Sequence, residues 1–217
     1  MDATDRRKLA RRALDGYVSG PAAPREATAR ALARIGHAGT VALVEGISDQ
    51  IAVETAATCR GRDLEAERVV VVPIGGAHAI GRFLAEAGPL RAGVRLAGLC
   101  DLREAEIFRR GLAAADVFVC VDDLEDELIR AVGAAEVEAL FDSQGDLGSF
   151  RSLQAQPAWR GREPKAQMRR FLGSGSRRKL RYARLLVEAA VARDVLPHPL
   201  DGLLTAVCPP GSPPVRR

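Results

Sequence analysis

Four acidic side chains lie at or just beyond the ends of apolar stretches, where buried strands would end. Glu45 ends "TVALVE", Asp49 lies four residues later, Asp101 ends "GVRLAGLCD", and Glu125 follows "DVFVCVDD". Carboxylates gathered at one edge of a sheet repel one another, and they remain ionised together only if a cation lies among them. Oxygen ligands of this kind suit Mg²⁺ or Mn²⁺. The pattern therefore predicts a divalent-metal site of the kind used in phosphoryl transfer and phosphodiester hydrolysis.

The apolar stretches that end near these acids alternate with stretches of helical spacing. Each apolar run is almost without polar interruption, which is typical of strands buried on both faces of a parallel sheet. The runs are "TVALVE", "RVVVVPIGG", "GVRLAGLCD" and "DVFVCVDD". The helical stretches between and after them are Ser48–Arg60, Ala77–Ala87, Arg103–Ala113 and Leu124–Val132. The alternation predicts an α/β fold with a Rossmann-like, mostly parallel sheet, whose strands present reactive residues at their carboxyl ends.

The remaining sequence divides around this core. Residues 1–38 carry two helical patterns, over Asp2–Val18 and Arg25–Ile35, and are expected to form an N-terminal helical segment. The core is predicted over residues 39–133. After Gly133 the strand signal fades, so residues 134–207 are expected to form a helical C-terminal appendage. The Pro-rich residues 208–217 are expected to be a disordered tail.

Composition favours a protein of the cytoplasm. The four cysteines, Cys59, Cys100, Cys120 and Cys208, form no C-x-x-C pair, so they are expected to be buried thiols in a reducing compartment. No stretch approaches the roughly 18 apolar residues that a membrane span needs, and the N-terminus lacks the apolar region of a signal peptide. A cytoplasmic location and no membrane partner are therefore expected, while the oligomeric state stays open.

A basic segment near the C-terminus is a candidate nucleic-acid surface. Residues 160–184 read "RGREPKAQMRRFLGSGSRRKLRYAR", in which Glu163 is the only acid. Such cations contact phosphates through charge, and the interleaved aromatic residues Trp159, Phe171 and Tyr182 could stack on an unpaired base. The predicted contacts are Arg160, Arg162, Arg169, Arg170, Arg177, Arg178, Lys179 and Arg181. In the alternative interpretation, Phe171 and Tyr182 belong to a helical core and the cations form a solvated face.

Three of these motifs together resemble the toprim domain of topoisomerases, primases and the OLD (overcoming lysogenization defect) nucleases. They are "VALVEGISD", "VVPIGG" and "LAGLCD". The resemblance is closest to the OLD type, because "VEGISDQIAVETAA" places a second acid one helical turn after the glutamate. "DDLEDEL" and "GSRRKLRYARLL" also resemble OLD-type segments, so the likeness covers most of Thr40–Val191. It implies a toprim fold and a stand-alone, Mg²⁺-dependent or Mn²⁺-dependent nuclease that hydrolyses DNA.

The resemblance also implies roles for individual residues. Glu45 would be a metal ligand or the general acid and base, and Asp49 a further ligand. Asp101 would be the first acid of a D-x-D pair, and Glu125 a late acidic ligand. Lys179 would stabilise the charge that develops on the scissile phosphate.

One position departs from the family pattern. The second acid of D-x-D would fall at residue 103, which is arginine, and Glu104 follows it. Either Glu104 supplies the missing metal ligand, or a second metal position is weak, or the site is degenerate. The alternative function is therefore a degenerate toprim module that binds nucleic acid or a partner ATPase without cleaving. The sequence contains no G-x-x-x-x-G-K-[ST] motif, so any ATPase is expected to be a separate partner.

Some of these residues have simpler interpretations. Asp49 could merely favour the positive end of its helix, and Gly75 and Gly76 could merely shape a turn. Gly46 is expected to provide the sharp turn after Glu45. Four further acids could form an acidic cluster at a helix N-terminus, namely Asp122, Asp123, Asp126 and Glu127.

Overall fold

The structure is a computed structural model that describes residues 14, 16, 17, 20, 22–86, 93–113 and 116–207. Apart from residues 14, 16 and 17, the predicted helix over Asp2–Val18 lies outside the described residues. The predicted disordered tail over 208–217 lies outside them as well. Within the described ranges, no helix is long and apolar enough to cross a membrane.

Four parallel strands form the predicted sheet. Their bounds are β1 Thr40–Val44, β2 Val69–Pro73, β3 Arg95–Asp101 and β4 Val117–Cys120. The strand order is β2-β1-β3-β4, and all three pairings are parallel. Every residue of β1 and β2 is buried, as the uninterrupted apolar runs predicted. The α/β fold with a parallel sheet is therefore confirmed, and the carboxyl ends of β1 and β3 lie side by side.

Helices cover both faces of the sheet. Alternate residues of β1 face opposite sides: Val41 and Leu43 pack in one core, and Ala42 and Val44 in the other. The first core also receives α1 (Ala23–Ile35), α3 (Ile80–Glu86) and α4 (Ala105–Gly111). The second receives α2 (Ile47–Cys59) and the C-terminal helices. The predicted starts at Ala77 and Arg103 fall instead in short 3₁₀ turns, Ala77–Ala79 and Leu102–Glu104, which precede α3 and α4.

The C-terminal part is helical, as predicted. Its helices are α5 Leu124–Val132, α6 Ala134–Ser143, α7 Leu147–Ala155, α8 Pro164–Gly173, α9 Ser176–Ala192 and α10 His198–Val207. The aromatic side chains Phe141, Phe150, Phe171 and Tyr182 pack together with ring centroids 4.9–5.4 Å apart. This cluster is continuous with the core on the α2 face of the sheet. Helix α9 packs against α2, α5 and α8, and so brings its N-terminal turn to the carboxyl edge of the sheet.

The expectation of buried cysteines is wrong for one residue. Cys100 and Cys120 are buried in β3 and β4, but Cys59 is exposed at the end of α2. Cys208 lies outside the described residues. The apolar runs around Cys100 and Cys120 were a sound signal of burial, whereas Cys59 ends α2, just beyond its last buried residues, Ala56 and Ala57.

Candidate metal and catalytic site

The backbone of Glu45 is held by the turn that follows β2. The N–H groups of Gly75 and Gly76 both donate to the Glu45 carbonyl oxygen at 3.0 Å. Both glycines have positive φ, 79° and 105°, a backbone conformation that residues other than glycine rarely adopt. Gly46 has a φ of −147°, which any residue adopts, and an added Cβ would lie 3.6 Å from Asp49. The chain bends at Glu45 and Gly46, as expected, but this bend does not require glycine, whereas the positive-φ turn lies at Gly75 and Gly76.

The Glu45 carboxylate reaches the neighbouring strand β3. Its Oε1 accepts a hydrogen bond from the Asp101 N–H at 2.7 Å. Burial, a hydrogen bond with the Glu104 carboxyl and the charges of Asp101 and Glu104 raise the pKa of Glu45 to about 8, although the Asp101 N–H opposes this shift. Glu45 is thus surrounded mainly by acids, and a cation bound there would stabilise its ionised form.

Asp49 lies in the first turn of α2 and caps that helix. Its Oδ2 accepts a hydrogen bond from the Gly46 N–H at 2.9 Å, so the simpler interpretation of this acid is confirmed in part. Burial and the charge of Glu125 raise the pKa of Asp49 to about 7, while Lys179 and the Gly46 N–H act in the opposite direction. A capping carboxylate is normally stabilised in its charged form, so the raised pKa places Asp49 in the repelling acidic group as well.

Asp101 ends β3 and belongs to the same group. Burial and the charges of Asp123, Glu104 and Glu125 raise the pKa of Asp101 to about 6, and Lys179 partly offsets them. Three carboxylates from different elements, on Glu45, Asp49 and Asp101, thus have pKa values raised by burial and by neighbouring acids. This is the electrostatic signature that the sequence pattern predicted for the strand ends.

The turn after Asp101 contains two charged residues, Arg103 and Glu104, which face different directions. Glu104 faces inward beside Glu45, and its Oε2 is buried with no hydrogen-bond partner among the described residues. Arg103 faces solvent. The acid of this turn that lies beside Glu45 is therefore Glu104, and its unpartnered oxygen is available to a ligand.

Lys179 comes from a distant part of the chain, near the start of α9. Its Nζ lies 3.1 Å from Glu125 Oε1, and the Glu125 side chain is almost fully buried. Burial lowers the pKa of Lys179, but the charges of Glu125 and Asp49 outweigh it, so the pKa is raised overall and the ammonium stays charged. The packing of α9 against α2 thus supplies a cation to an acidic site built by the sheet.

The other acids around the start of α5 have structural partners. Asp123 caps α5 by accepting the Asp126 N–H at 2.7 Å, and it pairs with Arg169 at 2.6 Å. Asp126 pairs with Lys165 at 3.1 Å, and Glu127 accepts the Val121 N–H at 2.9 Å. The interpretation of this cluster as helix-terminal acids is therefore confirmed for Asp123, and its pairs dock α8 onto the core. Sequence reasoning did not find these pairs, because it could not align α8 with α5.

The residues of this site suit a hard divalent cation. The donor set contains only carboxylate oxygens, and it includes the unpartnered Glu104 Oε2. Within the described part of the chain, no three acidic, His or Cys side chains already stand in the arrangement that would hold a metal ion. Mg²⁺ needs only one or two protein carboxylates, because it keeps several waters. Glu45 and Asp101, on adjacent strand ends, satisfy that requirement.

Some of the predicted nucleic-acid contacts already interact with other residues of the protein, and others are exposed. Arg169 pairs with Asp123, and Lys179 pairs with Glu125. Arg178 stacks 4.0 Å from the centre of the Phe171 ring, and Arg181 is buried and pairs with Asp146. The exposed members are Arg160, Arg162, Arg170 and Arg177.

Two of the interleaved aromatic residues belong to the core. Phe171 and Tyr182 are buried in the aromatic cluster, so the alternative interpretation is confirmed for them, and stacking of either on a base is excluded in this structure. Trp159 is partly buried and lies under Arg170, whose guanidinium carbon is 6.0 Å from the ring centre.

Comparisons with known proteins agree with this geometry. Residues 37–102 match the family described as "Overcoming lysogenization defect protein-like, TOPRIM domain". The fold is similar to that of the C-terminal region of the Burkholderia pseudomallei OLD protein, with a TM-score of 0.57 and 17% identity over 78% of this chain and 96% of that one. The C-terminal region of the Xanthomonas campestris pv. campestris OLD protein gives a TM-score of 0.55 and 19% identity, over 78% and 94% of the respective chains. No curated protein sequence matches.

The matched segment begins just before β1 and ends just after Asp101. It therefore contains Glu45, Asp49 and Asp101, whereas Glu125 and Lys179 lie beyond it. The structural similarity extends over more than three quarters of the chain. The resemblance predicted from the sequence is confirmed: residues 37–102 match an OLD-like TOPRIM domain, and the chain has the fold of the C-terminal region of OLD proteins.

Proposed function

We propose that this protein is a Mg²⁺-dependent nuclease that hydrolyses phosphodiester bonds in DNA. The observation that carries the proposal is the meeting of Glu45 and Asp101 at adjacent strand ends, linked by the 2.7 Å hydrogen bond from the Asp101 N–H. Both carboxyl groups have raised pKa values because burial and neighbouring acids disfavour their charges. A divalent cation would relieve that repulsion, which makes the site suited to binding one.

Five acids are the proposed oxygen donors of the metal site, and those beyond the first two would have to move to reach a cation, because no three described side chains stand in a ligating arrangement. Glu45 and Asp101 are the principal ligands, and further oxygens come from Asp49, Glu104 and Glu125. Glu104 takes the place of the acid missing at position 103, since its unpartnered oxygen lies in the turn that packs against Glu45. Mg²⁺ or Mn²⁺, when bound, supplies Lewis-acid stabilisation of a phosphoryl oxygen.

The chain's own residues contribute charge stabilisation and proton transfer. Lys179 carries a positive charge, held beside the acids by Glu125 at 3.1 Å, and would stabilise the negative charge that builds up on the scissile phosphate. In the alternative role, in which Glu45 is the general acid and base and not a metal ligand, its pKa of about 8 in the metal-free site would suit proton transfer near neutral pH. Lys179 lies on α9, so its role depends on the docking of that helix against α2.

The test is cleavage of plasmid DNA by the purified protein with Mg²⁺ or Mn²⁺ and without ATP. Glu45→Gln and Asp101→Asn should each reduce cleavage by roughly 10²- to 10³-fold or more, because each removes charge stabilisation that operates in the transition state. Matched controls are Glu65→Gln and Asp142→Asn, which neutralise exposed acids away from the site and should cleave like the wild type.

Lys179→Ala tests whether the lysine acts on the phosphate and not on metal binding. It should slow cleavage while the protein retains its affinity for Mn²⁺, measured by calorimetry. Equal cleavage by the wild type, Glu45→Gln and Asp101→Asn would identify a contaminating nuclease and overturn the proposal. DNA binding with no cleavage by any variant would favour the degenerate binding module instead.

A further inference from the structure

The cations around the acidic edge fall into two groups. Lys165, Arg169 and Lys179 each form an ion pair with an acid at the start of α5. Arg103 and Arg177 form no ion pair or side-chain hydrogen bond with any other residue that the structure describes, and both are exposed. The first group neutralises the protein's own charge, whereas the second is available to an external anion.

Arg103 lies beside several acids and pairs with none of them. It follows Asp101 by two residues in the 3₁₀ turn, and Glu104, next to it, faces inward toward Glu45. Glu104 therefore faces the acidic edge, whereas Arg103 faces solvent and is available to another partner. An exposed ion pair contributes little to stability, whereas a guanidinium can bind a phosphate through two parallel hydrogen bonds.

Arg177 lies on the other side of the same edge. It occupies the first turn of α9 and lines a cavity of about 380 Å³ together with Lys179 and Gly75. Pro73 and Gly46, at the carboxyl ends of β2 and β1, form part of the same wall. Arg177 therefore marks the β2 side of the site, and Arg103 marks the β3 side.

The strand order sets the sequence in which a bound nucleic-acid backbone would meet these residues. Because the order is β2-β1-β3-β4, Glu45 at the end of β1 lies between the β2 side, where Arg177 is, and the end of β3, which carries Asp101 and then Arg103. A chain of phosphates laid across this edge would meet Arg177, then the carboxylate pair, then Arg103. An acidic edge repels a polyanion, and two flanking guanidinium groups would offset that repulsion on both sides.

We propose that Arg103 and Arg177 bind the phosphates on either side of the reacting phosphate, so that one nucleic-acid strand crosses the carboxyl edge from β2 toward β3. This inference rests on the proposed function, because it assumes that the substrate is a nucleic-acid backbone. It assigns a substrate-binding role to Arg103, the residue that stands where the family pattern has an acid. Contacts of this kind are independent of base sequence.

The test is binding of a fluorescently labelled DNA oligonucleotide to the full chain in EDTA, at several salt concentrations. Arg103→Ala and Arg177→Ala should each weaken binding about 3- to 10-fold near 0.1 M salt and reduce the slope of log K against log salt by about one. Arg103→Lys should retain part of the affinity. The matched control is Arg95→Ala, since Arg95 is exposed and unpaired, within the described residues, at the opposite end of the same strand.

Unchanged affinity and salt slope for Arg103→Ala would overturn the inference for that residue. Losses of equal size for Arg95→Ala and Arg103→Ala would also overturn it, because they would report net charge alone. Glu45→Gln should bind DNA at least as tightly as the wild type in EDTA. Binding measured without metal stays interpretable even if no cleavage is found, so failure of the inference and failure of the proposed nuclease give different results.

Discussion

Two partly buried groups of acids in this molecule have opposite electrostatic surroundings. In the helical part, Asp146 pairs with Arg181 and accepts the Tyr182 hydroxyl at 3.0 Å, while Arg178 lies 3.9 Å away. At the edge of the sheet, Glu45 and Asp101 have acids as their main charged neighbours, and the pKa of each is raised. The helical acid is neutralised within the protein, whereas the edge acids are held together without enough positive charge.

This difference indicates which acids stabilise the fold and which are available to bind a ligand. A buried carboxylate with its own cation and hydrogen bonds helps to define one packing arrangement, here that of α9 beside the aromatic cluster. A buried group of carboxylates without such partners costs stability until something positive binds. Changes at Asp146 should therefore be read out as unfolding, and changes at the edge as altered response to cations and pH.

The largest effect is expected from Arg181→Met, because it removes the buried guanidinium that pairs with the largely buried Asp146 carboxylate. Breaking a buried pair in this way costs about 3–5 kcal/mol. For a chain of this size that corresponds to a fall in Tm of about 6–20 °C, measured by circular dichroism.

The controls for this variant lie on the same helix and in the same pair. Arg177→Met removes an exposed arginine of α9 and should change the free energy of unfolding by no more than about 0.5 kcal/mol. Arg181→Met combined with Asp146→Asn should recover part of the loss, because the uncompensated charge is removed. A wild-type Tm for Arg181→Met would contradict a stabilising role of the pair, and would return Arg181 to the group of candidate phosphate contacts.

The next effect is stabilisation by a divalent cation, which should act on the edge alone. A cation at 100 times its Kd stabilises the folded state by about 2.7 kcal/mol, which raises Tm by roughly 5–11 °C. Mg²⁺ or Mn²⁺ should raise the Tm of the wild type and of Glu65→Gln. The rise should be largely absent in Glu45→Gln and Asp101→Asn. An equal rise in all four proteins would place cation binding elsewhere.

A smaller rise in Tm, in the absence of metal, is expected from Asp49→Asn. The folded-state pKa of Asp49, about 7, exceeds its ordinary value of 3.8, so the folded protein holds this proton to higher pH than the unfolded chain. Its contribution to stability is therefore full below about pH 4 and is lost as pH rises through about 7. The amide keeps an oxygen to accept the Gly46 N–H, and it has no charge to bury.

Asp49→Asn should therefore raise the metal-free Tm at pH 8 by at least about 2–4 °C, equivalent to about 1 kcal/mol, and by less at pH 5. Thermal melts at the two pH values provide the measurement. A Tm lowered equally at both would show that Asp49 serves only as a helix cap.

The sheet and the acids at its edge were accessible from the sequence because they depend on local patterns. Uninterrupted apolar runs identified β1 and β2, and parallel strands necessarily bring Glu45 and Asp101 to one edge. A sharp turn was expected at Gly46, and a turn was the simpler interpretation of Gly75 and Gly76, but the sequence does not reveal which turn needs a left-handed backbone. The structure places that turn at Gly75 and Gly76.

The sequence could not predict which basic residues are exposed and which pack against the protein, because this depends on contacts between distant helices. Arg177, Arg178 and Arg181 are close in sequence and look alike there. Helical geometry turns the first toward solvent, the second onto Phe171 and the third toward Asp146. The prediction of a basic nucleic-acid surface therefore included residues that the fold uses for packing.

The distance in sequence between the acids and Lys179 has a consequence during synthesis. Glu45, Asp49, Asp101 and Glu125 are all translated before α9 exists, and Lys179 joins Glu125 only when α9 has docked on α2 and α5. A nascent chain that ends before α9 carries the acids without this cation. The proposed activity would thus arise late, once the chain has been made and folded through α9, so the ribosome would not carry an active nuclease on a partly made chain.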